Sequence, residues 1–276
     1  MPHEPHIVFV HGAGASADFW HRQRPAFPNA HYIDLPGHRA KRWTHTHMPP
    51  ADGHLASDGH PLPDARSLIE WYADHVSEYV QEAALGSVVL VGHSMGGAVV
   101  LTLALHRPTW LKALVLTSTG ARLPVSPRIL ELLRADYRAA VELIIELSFA
   151  PFHSLHRPLT YSQKLLINGA RRQMLRVPRE VTLADYQACA HFDVTHRLSE
   201  VRLPTLCITG DQDRMVPPEH SRLLHERIAG SRLEVVEGAG HMLPLERPDE
   251  YNHRVEEFVA AIEVEHGGHE GSIKDN

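Results

Sequence analysis

Short apolar runs that end in glycine alternate with helical patterns along most of the chain. Most of the six runs are rich in Val, Ile and Leu, and they lie at residues 7–10, 30–34, 87–91, 112–116, 205–209 and 233–236. Predominantly apolar runs without strict alternation are typical of strands buried on both faces of a parallel sheet. Helical patterns follow four of them, at residues 64–84, 94–106, 217–229 and 248–264. This alternation predicts an α/β fold with a mostly parallel, doubly wound sheet of about six strands.

One segment interrupts the alternation. Residues 122–200 contain no convincing strand but several helical stretches, of which residues 129–149 form the longest and are rich in Leu and Ile. We expect this segment to be a helical lid inserted after a strand, over a core formed by residues 1–121 and 201–264. The polar, Gly-rich residues 265–276 predict a disordered tail.

Composition narrows the class of protein. A length of 276 residues is enough to bury a sizeable core. The formal net charge of −6, without a lysine- or arginine-rich run, argues against nucleic acid and membrane surfaces as partners. Two cysteines, Cys189 and Cys207, do not make a disulfide framework, and the N-terminus lacks the features of a signal peptide. We therefore expect a cytoplasmic protein, either monomer or homodimer.

The strongest chemical signal is the sequence Gly92-His93-Ser94-Met95-Gly96, which follows an apolar run and precedes a helical pattern. This is the context that a nucleophile elbow requires. The serine must occupy a strained turn to project its hydroxyl, and the two glycines let the strand and the helix approach each other. Ser94 is the predicted nucleophile. The alternative is a glycine-rich turn in which the serine only caps the helix.

A serine nucleophile needs a base, and the base needs an orienting carboxylate. His241 lies in a glycine-containing loop after the last apolar run and is the predicted general base and acid. Asp211 and Asp213 both follow the preceding run. We favour Asp213, which lies farther from the strand, and expect Asp211 to cap its own turn. The chain order of serine, aspartate and histidine is typical of a nucleophile-elbow fold.

The oxyanion hole needs two N–H donors. The Met95 amide at the start of the predicted helix is one candidate. The sequence His11-Gly12-Ala13-Gly14 follows the first apolar run, and its amides can lie beside the elbow. We predict that the Ala13 amide is the second donor and that the His11 side chain ties the loop to the scaffold.

Taken together, these motifs resemble the α/β-hydrolase superfamily over nearly the whole chain. The resemblance is carried in order by residues 11–14, 34–38, 92–97, 210–213 and 240–241. It implies a serine hydrolase of the carboxylesterase type that forms an acyl-enzyme and uses no cofactor. It also implies alternatives with the same triad: lactone or carbon–carbon bond hydrolysis, cofactor-free peroxidase (perhydrolase) or hydroxynitrile lyase chemistry, and a non-enzymatic small-molecule receptor.

The chain departs from the family pattern in two places. The first predicted strand begins at Ile7, which leaves no room for the early antiparallel strands of many relatives, so we expect six strands, all parallel. Residues 39–56 look like an insertion. Histidines in and just after it, near Asp52 and Asp58, make a metal site conceivable: His45, His47, His54 and His60. A solvated loop is the simpler interpretation, and we predict no metal.

The substrate is predicted to be a small to medium, largely apolar ester. The Leu- and Ile-rich insertion is expected to form part of an apolar cleft above Ser94. The residues predicted to contact substrate are Phe19, Met215, Val216, Met242, Leu143 and Leu147.

Overall fold

The computed structural model describes residues 5–39, 68–151 and 159–267, without the side chains of 263–267. Six strands form one sheet in the order β2-β1-β3-β4-β5-β6, and every neighbouring pair is parallel. The predicted doubly wound sheet is therefore confirmed. The strands are β1 His6–Val10, β2 His31–Ile33, β3 Val88–His93, β4 Leu111–Thr117, β5 Thr205–Gly210 and β6 Arg232–Val236.

Helices connect the strands and form the predicted insertion between β4 and β5. Two 3-10 helices lie at Ala17–Arg22 and Thr195–Glu200. Helix α9 runs three residues beyond the predicted end of the fold at residue 264, and the rest of the predicted tail lies outside the described residues. The α-helices are α1 Leu68–Glu82, α2 Met95–His106, α3 Pro127–Ala135, α4 Tyr137–Ser148, α5 Tyr161–Met174, α6 Arg179–His191, α7 Pro218–Arg227, α8 Leu243–Glu246 and α9 Pro248–Gly267.

The core consists of two apolar layers, one on each face of the sheet. Leu90 of β3 packs into the layer that contains helices α1 and α2. Its neighbours Val89 and Val91 point the other way, into the layer that contains α4 and α9. Because successive strand residues point to opposite faces, a strand covered on both sides must be apolar at every position. This burial explains the uninterrupted apolar runs. Among the described helices, none has both the length and the apolar character needed to cross a membrane.

Helix α2 begins in very close contact with the ends of β1 and β3. A Cβ atom on Gly96 would lie 2.3 Å from the carbonyl oxygen of Val10. A Cβ atom on Gly92 would lie 2.3 Å from the carbonyl oxygen of Gly96. Neither position has room for a side chain, so the two glycines allow the turn between β3 and α2 to form against the neighbouring strand.

This packing predicts opposite effects for the same substitution at two glycines. Gly96→Ala forces backbone atoms apart and should lower the free energy of unfolding by at least about 3 kcal/mol. Gly169→Ala in helix α5 is the matched control, because a Cβ atom there meets nothing within 4 Å. It should stabilise the protein by about 0.5–1 kcal/mol. Chemical denaturation of both variants tests this, and equal effects would contradict the packing argument.

Candidate active site

Ser94 occupies the turn between β3 and α2 in a strained conformation. Its φ of 53° and ψ of −118° lie in a region that side-chain-bearing residues rarely adopt. Its N–H donates to the carbonyl of Thr117, and its carbonyl accepts the hydroxyl of Thr119 at 2.8 Å. The Ser94 side chain makes no capping hydrogen bond, which removes the alternative of a simple helix cap. The residue is partly exposed and lines a cleft, whereas its neighbours in the turn are buried.

His241 lines the same cleft, and its imidazole is hydrogen-bonded to the carboxylate of Asp213. The Nδ1 atom of His241 lies 2.9 Å from Oδ2 of Asp213, and both side chains are buried. The second oxygen of Asp213 accepts the N–H groups of Met215 and Val216 at 2.9 Å each. An Nδ1–H that donates to the carboxylate leaves Nε2 as the acceptor nitrogen. The carboxylate therefore fixes the orientation of the imidazole in the cleft that Ser94 also lines.

Asp211 has a different role from the one predicted. Its Oδ1 accepts the N–H of Gly238 at 2.7 Å, so it fastens the loop after β6 instead of capping its own turn. The two acidic residues that follow β5 thus make different contacts. Asp213 contacts the imidazole, and Asp211 holds the backbone of the loop that carries His241.

His93 also supports the base, and sequence reasoning did not identify it. Its Nε2–H donates to the carbonyl of His241 at 2.9 Å, and its ring stacks on Phe19 with centroids 4.5 Å apart. Burial and the neighbouring His241 hold the pKa of His93 well below its usual value, so the ring is neutral. No sequence signal separates this histidine from the other residues of the elbow.

The loop after β1 lies directly beside Ser94. A Cβ atom on Gly12 would lie 3.2 Å from Cβ of Ser94. The His11 ring holds this loop, because Nδ1 bonds the Gly12 carbonyl at 2.9 Å and Nε2 accepts the Leu35 N–H at 3.0 Å. Burial lowers the pKa of His11 well below its usual value, which suits this neutral tautomer. Within the described chain, neither the Ala13 nor the Met95 amide donates to a protein acceptor.

The cleft above Ser94 is narrow and mainly apolar, with a volume of about 50 Å³. Four of the predicted substrate contacts, Phe19, Met215, Val216 and Met242, line it. The other two do not. Leu143 and Leu147 are partly buried on the adjoining side of α4 and pack into the second core layer. The α4 residues that line the cleft are Ile144, Ile145 and Ser148, and helices α5 and α6 add Ala170, Gln173, Met174, Tyr186 and Cys189.

Glu246 connects the histidine loop to the insertion. Its Oε1 accepts the Gly240 N–H and its Oε2 accepts the Ala150 N–H, both at 2.9 Å. Burial raises the pKa of Glu246 to about 7, although the two amides act in the opposite direction. Sequence reasoning missed this residue. The sequence offers one signal for it. Glu246 is an acidic residue that directly follows four apolar residues after His241.

Within the described residues, no group of three or more His, Cys, Asp or Glu side chains is arranged to hold a metal ion. The histidines from His45 to His60 that suggested a metal site lie outside the described part of the chain.

Known proteins match the whole of this architecture. Residues 7–254 match the sequence profile of the alpha/beta hydrolase family. A pimeloyl-[acyl-carrier protein] methyl ester esterase of Neisseria meningitidis serogroup A is 26% identical, over 95% of this chain and 79% of that protein. A proline iminopeptidase of Saccharolobus solfataricus is 27% identical over 72% of each chain. The solved structure of a thermophilic esterase is 30% identical, with a TM-score of 0.71 over 93% of this chain and 90% of that one.

Glu246 predicts a specific dependence of stability on pH. Its pKa in the folded protein, about 7, lies above the ordinary value of 4.5, so the folded state binds the proton more tightly than the unfolded state. The stability that Glu246 contributes is present at low pH and is lost as the pH rises towards 7. The stability of the wild type relative to Glu246→Gln should therefore fall by about 2 kcal/mol between pH 5 and pH 8.

Chemical denaturation at several pH values measures this difference. Glu256→Gln, at an exposed position of α9, controls for loss of a surface carboxylate. A wild-type advantage over Glu246→Gln that stays constant or grows with pH would contradict the raised pKa.

Proposed function

The chain belongs to the alpha/beta hydrolase family, and from this premise we propose that it is a serine hydrolase of carboxylic esters. The observation that carries the proposal is that Ser94 and His241 line one cleft, with His241 bound through Nδ1 to the buried carboxylate of Asp213. Esterases among the similar proteins support it. The proposed substrates are small to medium esters that are largely apolar.

In the first half of the reaction, Ser94 Oγ attacks the ester carbonyl while Nε2 of His241 accepts its proton. The resulting imidazolium is stabilised by Asp213 at 2.9 Å. Negative charge develops on the carbonyl oxygen and is met by the amides of Met95 and Ala13. The tetrahedral intermediate then collapses, the imidazolium protonates the departing alkoxide, and the acyl group stays on Ser94.

In the second half, a water molecule replaces the alcohol. His241 takes a proton from the water, the hydroxide attacks the acyl-enzyme, and the same two amides hold the oxyanion. Collapse of this intermediate returns the proton to Ser94 and releases the carboxylic acid. No cofactor enters either half of this scheme.

The chemical character of the cleft supports neutral substrates. None of the described residues that line it is Asp, Glu, Lys or Arg. A charged acyl group would lose hydration there without gaining a partner, which is costly. The polar groups of Gln173 and Tyr186 can orient a substrate without requiring charge. A small-molecule ester is therefore the proposed partner, and a cytoplasmic location remains a prediction.

Replacing the nucleophile tests the proposal directly. Ser94→Ala should reduce turnover of short and medium acyl p-nitrophenyl esters by at least about 10⁴-fold, because no acyl-enzyme can form. Ser162→Ala, on the exposed surface of α5, is the control and should keep full activity. Undiminished activity of Ser94→Ala would rule the assignment out.

The same assay separates the alternatives. The wild type is also assayed with lactones, thioesters and substrates of carbon–carbon bond hydrolysis. Faster turnover of one of these classes than of simple esters would identify another chemistry of the same triad. Labelling of Ser94 by a fluorophosphonate without turnover of any substrate would indicate a receptor.

A second test uses the two acidic residues after β5 as a matched pair. Asp213→Asn should lower kcat by about 10⁴-fold, because the imidazole loses its counter-ion and its correct tautomer. Asp211→Asn keeps that contact and weakens the bonds to Gly238 and to the Gln212 side chain, so kcat should fall by less than about tenfold. Steady-state kinetics on one ester measures both. Equal losses would show that Asp213 acts through the loop and not through the imidazole.

A further inference from the structure

The carboxylate of Asp185 is fully buried where four parts of the chain meet. Asp185 belongs to helix α6 of the insertion. Its Oδ2 accepts the N–H of Gly14 at 2.9 Å and lies 2.7 Å from Nε2 of His38. Its Oδ1 accepts the hydroxyl of Tyr72, in α1, at 2.9 Å. One side chain of the insertion therefore binds the loop after β1, the turn after β2 and a core helix.

The partner His38 is positioned to be charged. Its Nε2 faces the Asp185 carboxylate, and its Nδ1 lies 3.2 Å from the carbonyl of Leu35 and 3.1 Å from that of Pro36. Only the protonated ring has two N–H groups to donate. Burial lowers the pKa of His38, but the carboxylate and the carbonyls outweigh it and raise the pKa above its ordinary value. The two side chains form an ion pair with no solvent exposure.

Stability alone does not account for this pair. Removing two charges from water is costly, and apolar replacements of similar volume are often neutral or stabilising. What an apolar pair does not supply is an acceptor for the Gly14 amide. The distinctive contribution of Asp185 is therefore its hold on the backbone of that loop.

Gly14 is held from two sides. Its φ of +61° is left-handed, and a Cβ atom there would lie 3.0 Å from Thr182 Cγ2 in α6 and 3.2 Å from Met174 Cε in α5. The carboxylate fixes the direction of its N–H. That N–H belongs to the peptide unit that follows Ala13. A fixed Ala13–Gly14 peptide limits rotation about Ala13, and this rotation sets where the Ala13 amide points.

We propose that Asp185, in its ion pair with His38, is a positioning residue that keeps the Ala13 amide directed at the substrate's carbonyl oxygen. This inference rests on the proposed function, since it presupposes an oxyanion at that place. It assigns to helix α6, which also lines the cleft through Tyr186 and Cys189, a part in stabilising the transition state.

Asp185→Asn is the primary variant and Tyr72→Phe its control. Asparagine offers one oxygen where three donors face the carboxylate, and it leaves His38 without a counter-ion. Tyr72→Phe removes a hydrogen bond from the same carboxylate but leaves the bond to Gly14 intact. The readouts are kcat and KM for p-nitrophenyl butyrate, the Ki of phenylboronic acid, and the thermal midpoint. The boronic acid forms a tetrahedral adduct with Ser94 and so reports on the oxyanion hole.

For Asp185→Asn we expect kcat to fall by about 10- to 100-fold with KM within about threefold, because only the transition state carries the oxyanion. The Ki of phenylboronic acid should rise in proportion to the loss of kcat/KM. For Tyr72→Phe, kcat and the Ki of phenylboronic acid should stay within about threefold of the wild type, even if the thermal midpoint falls.

A folded Asp185→Asn protein with kcat and Ki within twofold of the wild type would overturn the inference. Equal losses of kcat in Asp185→Asn and Tyr72→Phe, in proportion to the fall in their thermal midpoints, would also overturn it. If Asp185→Asn does not fold, hydrogen exchange of the wild type decides: exchange of the Gly14 amide at the unprotected rate would overturn it, and strong protection would support it. Failure of the proposed function would be visible separately, as wild-type turnover independent of Ser94, and would remove this inference with it.

Discussion

The contact between the start of helix α2 and the end of strand β1 determines where the chemistry can take place. With Gly96 against the carbonyl of Val10, the chain must leave β3 through a single tight turn, and Ser94 adopts a φ of 53° within it. That backbone strain is offset by two hydrogen bonds: the Ser94 N–H donates to the carbonyl of Thr117 at the end of β4, and the Thr119 hydroxyl donates to the Ser94 carbonyl. The hydroxyl is thereby placed in the cleft while the residues around it are buried.

Carboxylates then fasten the loops around this fixed point. Asp213 orients the His241 ring and accepts two amides of its own loop, Glu246 accepts the amide of the residue before His241, and Asp185 accepts an amide of the loop after β1. Each accepts backbone N–H groups with its carboxyl oxygens, which make stronger bonds than neutral acceptors do when the group is ionised. Loops at a sheet edge have little regular structure of their own, so these bonds supply the rigidity that preorganised donors and an oriented base require.

The sequence was most informative where the determining interactions are local or where burial acts on every residue of an element. The inner strands and the elbow could be predicted because burial on both faces and one tight turn impose strict composition. Asp185 could not be identified, because its partners His38 and Gly14 lie 147 and 171 residues away. On α4 the prediction named Leu143 and Leu147, whereas Ile144 and Ile145 line the cleft. Helix α4 has apolar residues on two adjoining faces, so its composition does not show which of the two faces the cleft.

The helical insertion is hydrogen-bonded to the loops that carry His241 and Asp213. The Ser148 carbonyl accepts the Met242 N–H, Ala150 donates to Glu246, and Arg214, next to Asp213, bonds the carbonyls of Glu146 and Phe149. These bonds join the C-terminal end of α4 to both the base loop and the acid loop. Large displacement of that end would therefore disturb His241 and Asp213 themselves. The aliphatic side chains of Ile144 and Ile145 make none of the hydrogen bonds that anchor the end of this helix. They can therefore vary to suit a different acyl group while the backbone that holds the loops of His241 and Asp213 stays in place.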